Sequence, residues 1–137
     1  MKKEGGYMKI LIGYKGINIG QDLLKLGAEH AKAFDATILI VTSMLEGTEK
    51  DQEKILEAEN NLDQAQVFFK AQEIACEKHL LIRGMEAGED IVAFANEKQV
   101  DEIIIGVKSR SNVGKLLFGS TAQTVILEAD CPVVTVR

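Results

Sequence analysis

The chain has 137 residues, 46% hydrophobic and 27% charged, which suits one globular domain with a sizeable core. A formal net charge of −5, few aromatics and no Trp argue against base-stacking modules and against broad binding to nucleic acid or anionic membranes. No apolar run approaches the roughly 20 residues of a membrane span, and the start, MKKEGGYMKI, has no apolar signal core, so a cytoplasmic protein with no membrane and no nucleic-acid partner is expected.

Residues 1–7 are expected to form a flexible leader, with Met8 a second candidate start and one domain over 8–137. Lys9-Ile10-Leu11-Ile12 reads as the first strand and Gly13-Tyr14-Lys15-Gly16 as a turn. A helix from Asn18 or Gln21 carries Leu23, Leu26, Gly27, Ala31 and Phe34 toward one side and breaks at Asp35-Ala36. Thr37 to Val41 reads as a central parallel strand. After a polar stretch, Glu46 to Lys54, a long helix is expected to run to about Glu77. Ile55, Leu62, Phe69 and Cys76 recur in it every seven residues, with Ala58 and Ala65 between. That stripe is short for a coiled-coil partner face and suits packing on the domain's own sheet.

His79 to Arg83 reads as the third strand, Glu89 to Glu97 as a short helix, and Glu102 to Ile105 as the fourth strand. Ser120 to Ala129 is the last helix and Pro132 to Val136 the fifth strand, its proline at the first position, where a missing N–H is tolerated. Strands alternating with helices give an α/β protein with a parallel sheet and right-handed crossovers. Cys76 and Cys131 belong to no Cys/His cluster and read as buried reduced thiols. His30 and His79 have no partner set for a metal or a catalytic dyad, so no metal site and no catalytic residue is expected.

The chemistry concentrates between Ile103 and Ala122, IIIGVKSRSNVGKLLFGSTA. Gly106 ends a strand, and a loop follows with Lys108, Ser109, Arg110, Ser111, Asn112, Gly114 and Lys115. Gly119-Ser120-Thr121 then opens a helix, with Ser120 or Thr121 as its cap. No acid occurs between Glu102 and Glu128, while three cations do. Backbone N–H groups, hydroxyls, cations and a helix N-terminus in one stretch make a phosphate cradle. Ser109 to Leu116 is a near miss to the P-loop, lacking its first glycine and carrying Leu116 where the Mg²⁺-binding hydroxyl belongs. Gly13, Gly16 and Gly20 are too widely spaced for a dinucleotide fingerprint.

Gly106, Ser109, Gly119 and Ser120 occupy the four places of a fingerprint: Gly, two residues, Gly, nine residues, then Gly and Ser or Thr. It resembles that of the universal stress protein family, with Ser109 in place of the second glycine. Chain length, element order and the ending Cys131-Pro132-Val133-Val134-Thr135-Val136-Arg137 are similar to the family over about residues 8–137. The resemblance implies a Rossmann-like three-layer sandwich, with a five-stranded parallel sheet in order 3-2-1-4-5 and helices on both faces. Its chain direction reverses between strands one and four, where ligands of such sheets bind.

The resemblance further implies a stress-response regulator that binds ATP or another adenine nucleotide, with or without Mg²⁺, as a homodimer through the C-terminal strand, and that acts on an unidentified regulatory partner. Gly106, Ser109, Gly119, Ser120 and Thr121 would line the phosphates, with charge from Lys108, Arg110 and Lys115. Gly13, Tyr14 and Lys15 would complete the cleft from the first loop, and Ser43 falls near the family's purine contact. Nucleotide-binding members resemble one another in an Asp just after strand one. Lys15 stands there, and an ammonium accepts no hydrogen bond from ribose, although it can pair with an anion. Lys15 and Ser109 therefore favour a rival reading, an interaction protein of the same fold with a decayed site. An enzyme with a nucleotide or flavin cofactor has no supporting constellation. With no general base beside the loop, at most slow ATP hydrolysis or autophosphorylation is expected.

Overall fold

The computed structural model describes residues 7–110 and 116–137, without the side chains of 17–19, 108–110, 116 and 117. The elements run β1 Lys9–Gly13, α1 Ile17–Phe34, β2 Thr37–Met44, a single 3-10 turn Glu49–Asp51, α2 Gln52–Lys70, β3 Cys76–Ile82 and α3 Ala87–Lys98. They continue with β4 Glu102–Gly106, β5 Lys108–Arg110, β6 Leu116–Phe118, α4 Ser120–Glu128 and β7 Val133–Val136.

Five strands form a parallel sheet in the order β3-β2-β1-β4-β7, the 3-2-1-4-5 order expected. The β-branched runs at its centre are buried on both faces, and strand alternation divides them. Ile10, Ile12, Ile38, Ile40 and Ile104 pack with Leu23 and Leu24 of α1 and Leu62 and Phe69 of α2. Leu11, Leu39, Val41, Ile103 and Ile105 pack with Ile91 and Phe94 of α3 and Val125 of α4. The result is three layers.

Three expectations need correction. The second helix stops at Lys70 rather than near Glu77. Glu73 takes the left-handed conformation at φ 61°, and the Ile74 N–H turns back to donate to the Phe69 carbonyl at 3.0 Å. Cys76 therefore opens β3, paired with Ile38, instead of continuing the helical stripe. Beyond β4 the expected loop begins and ends in a two-stranded antiparallel hairpin, Lys108 opposite Phe118 and Arg110 opposite Leu116; residues 111–115 lie outside the described residues. Finally, the cap position of α4 is Gly119, not Ser120 or Thr121. The Gly119 N–H is held by the Val107 carbonyl at 2.9 Å and its own carbonyl accepts from Gln123 N–H at 3.0 Å, which makes Ser120 the first helical residue.

Candidate functional site

β1 leads to α1 on one face of the sheet, and β4 leads through the hairpin to α4 on the other. The chain parts at their carboxyl ends, and a cleft of about 160 Å³ opens there. Gly13, Tyr14 and Lys15 from the first loop, Ser43 from β2, Gly106 from β4 and Gly119, Ser120 and Thr121 at the start of α4 all line it. Leu23, Val41, Ala87, Ile91, Ile105 and Ala122 complete the lining. Residues from four separate segments of the sequence-derived set thus meet in one place. Lys108, Ser109 and Arg110 form β5, but their side chains are outside the description, as is all of Lys115.

The first loop is tied on both sides. The Tyr14 N–H donates to the Val41 carbonyl at 2.9 Å, and the Tyr14 carbonyl accepts from Thr42 Oγ1 at 2.6 Å. The Tyr14 ring is buried, which pushes its phenol above the ordinary tyrosine range. On the far side, Asn61 of α2 donates to the Lys15 carbonyl at 3.3 Å. Gly16 beside it sits at φ 134°, a conformation that an L side chain rarely adopts. The Lys15 side chain itself is exposed at the cleft.

At the opposite end of the cleft, α4 begins with neither a side-chain cap nor an acid in its first turn. The first N–H groups of a helix have no intrahelical partner, and here they belong to the residues that line the cleft. Gly106 adds bare backbone. A Cβ there would meet only Leu23 Cδ1 and the Val136 carbonyl, both at 3.8 Å, so packing does not demand glycine.

Behind Ser43 lies a polar network, centred on a buried acid, that the sequence reading missed. Asp90 of α3 is 0% exposed. Its Oδ2 accepts from Ser43 Oγ at 2.8 Å and its Oδ1 from Arg83 Nε at 2.6 Å, while Arg83 Nη1 reaches Glu97 at 2.8 Å. Its two partners come from the end of β2 and the residue after β3, so only the folded sheet brings the three together. The single signal in sequence is an acid among the inward positions Ile91, Phe94 and Ala95.

The histidines are elsewhere. His30 meets Glu102, at the N-terminal end of β4, at 2.6 Å, and His79 lies at 3.1 Å from Glu77 on β3. Among the described residues no three His, Cys, Asp or Glu gather as a metal site, and no helix is long and apolar enough to cross a membrane.

The chain is a doubly wound α/β sandwich with a glycine-lined cleft at the switch point and a helix N-terminus facing it, the place where open α/β sheets take ligands. Sequence comparison narrows that description. The model of the universal stress protein family matches residues 6–137, and the chain belongs to that family. A universal stress protein of Methanocaldococcus jannaschii is 29% identical, covering 98% of this chain and 84% of that protein. The structure of a universal stress protein from Archaeoglobus fulgidus is 36% identical with a TM-score of 0.85, covering 96% of this chain and 99% of that one. The structure of an Archaeoglobus fulgidus universal stress protein in complex with dAMP is 32% identical with a TM-score of 0.81, covering 96% and 98%.

Proposed function

We propose that this chain binds an adenine nucleotide in the cleft between β1 and β4 and acts as a homodimeric stress-response regulator. The observation that carries the reading is the uncapped start of α4, whose free N–H groups and positive dipole end face a cleft bounded by Gly106 and Lys15. The dAMP complex of the Archaeoglobus relative supports the ligand class. Phosphate would lie against Gly119, Ser120 and Thr121, and the base toward Val41 and Ser43 on β2. No carboxylate lines the cleft among the described residues, so a Mg²⁺ ion carried in with ATP would depend on phosphate oxygens and water for its ligands. Among the described lining residues none is a His or a carboxylate able to take a proton, which favours binding over turnover. The rival, a decayed site in an interaction protein, rests on Lys15, which offers no acceptor to a ribose.

Calorimetric titration with AMP, dAMP and ATP tests the reading, with the double variant Gly119→Val/Ser120→Ala as its control. Gly119 sits at φ −67° and ψ 144°, which any residue adopts, so the substitution changes the cleft and not the backbone. Wild type should bind, and the double variant at least about tenfold more weakly. Unchanged affinity in the variant would remove the helix start from the site, and no binding by wild type would favour the rival.

A further inference from the structure

Ser43 lines the cleft from β2, two residues beyond Val41 and on the same face of the strand. It stands on β2, two strands from β4, roughly 10 Å across the sheet from the end at which Gly106 and α4 meet. Its hydroxyl is already oriented. The one hydrogen of Ser43 Oγ is donated to Asp90 Oδ2 at 2.8 Å. Asp90 cannot return a hydrogen, because a carboxylate in an ion pair is an acceptor only, and Arg83 occupies its other oxygen at 2.6 Å. Burial of Asp90 makes that arrangement costly to break, since turning the serine away would leave a wholly buried carboxylate oxygen without its donor. What Ser43 presents to the cleft is therefore lone pairs alone.

We propose that Ser43, with its polarity set by the buried Asp90 and the Arg83 that pairs with it, selects bases that offer an exocyclic amine and discriminates against bases that offer a carbonyl or nothing at that edge. The inference rests on the nucleotide reading above and specifies which base that site takes. Ser43 acts by touching the ligand; Asp90 and Arg83 are positioning residues that act through it. An amine donates to the serine oxygen, whereas a carbonyl oxygen facing it brings two acceptors together with no hydrogen between them. Sites built this way discriminate because the mismatched ligand leaves polar groups unpaired.

Three nucleotides that differ at this edge test the inference: AMP, purine riboside monophosphate (no amine) and inosine monophosphate (a carbonyl). Wild type should bind AMP about tenfold or more tighter than the other two. Ser43→Ala should lower AMP affinity and close the gap to purine riboside monophosphate. Asp90→Asn should act differently. Arg83 holds the amide oxygen toward itself, so the amide NH₂ faces Ser43 and the hydroxyl hydrogen turns into the cleft. Inosine monophosphate should then gain on AMP. Ser43→Ala keeps the test intact should Asp90→Asn fail to fold. Equal binding of AMP and purine riboside monophosphate by wild type, or a gap that survives Ser43→Ala, overturns this inference and leaves the nucleotide reading standing. Failure of all three to bind wild type overturns both.

Discussion

The ring of Tyr14 lies directly on the backbone of α1 at Gly20: a Cβ on Gly20 would stand 2.3 Å from Tyr14 Cε1 and 2.7 Å from Cδ1. Tyr14 is 3% exposed and its backbone is bonded to β2 on both sides, so the ring cannot simply swing away. Gly20→Ala should therefore destabilise the protein despite alanine's better helix propensity. Overpacking costs about 1–3 kcal/mol and the propensity gain returns about 1 kcal/mol, so a net loss of up to roughly 2 kcal/mol is expected. Tyr14→Leu in the same chain should relieve much of it. A denaturant-melt double-mutant cycle without coupling between the two positions would show that the ring does not depend on the missing side chain.

The strands were readable because the central ones are buried on both faces and must be apolar throughout; Ile10 to Ile12, Ile38 to Val41 and Ile103 to Ile105 have no other reading. The end of α2 was not. Residues 71–75 hold no helix breaker, and a helix stop there depends on β3 pairing Cys76 with Ile38, a contact far off in sequence. The β5–β6 hairpin has only three residues on each side and no local pattern at that length. Of the site, the glycines and hydroxyls around Gly106 and Gly119 were legible as a spacing. Asp90 was hidden because Glu89-Asp90 looks like the pair of first-turn acids that any helix start favours. Its role appears only when Ser43 and Arg83 arrive from two other segments.

Cys76 provides a test of burial by pH. Burial pushes its thiol from 9.0 up to about 12. The neutral thiol is the form that the fold favours, so the associated stability is fully present below the unfolded pKa. It declines as pH rises from about 9 toward about 12, because the unfolded chain ionises first. Two outcomes are expected. Native-state alkylation of Cys76, followed by peptide mass mapping, should keep accelerating beyond pH 10 instead of levelling as a free thiol does. Cys76→Ala should lose less stability than wild type over the same alkaline interval. A rate that levels off by about pH 10 would place the sulfur in water.

The proposed dimer turns on which groups of β7 point outward. Pro132 and Val136 carbonyls accept from the N–H groups of Ile103 and Val107 at 3.0 Å each. In a strand the N–H and C=O of one residue share a side, so Pro132, Val134 and Val136 face β4, and Val133 and Thr135 turn their backbone groups to the open edge. That edge is short, β-branched and carries no charge before Arg137, so little discourages pairing with a second copy. α4, which leads into it, leaves Ile126 39% and Leu127 81% exposed. A two-fold axis would pair β7 with its copy in antiparallel fashion. The informative variant is therefore Thr135→Pro, which deletes an outward N–H and leaves the bonds to β4 in place; proline is tolerated at such edge positions. Val134→Pro would instead break the ladder to β4 and confuse unfolding with dissociation. Sedimentation should show wild type dimeric at tens of micromolar and Thr135→Pro shifted at least about tenfold toward monomer, with its melting curve little changed. A monomeric wild type, or a Thr135→Pro variant as dimeric as wild type, would exclude β7 as the dimer seam.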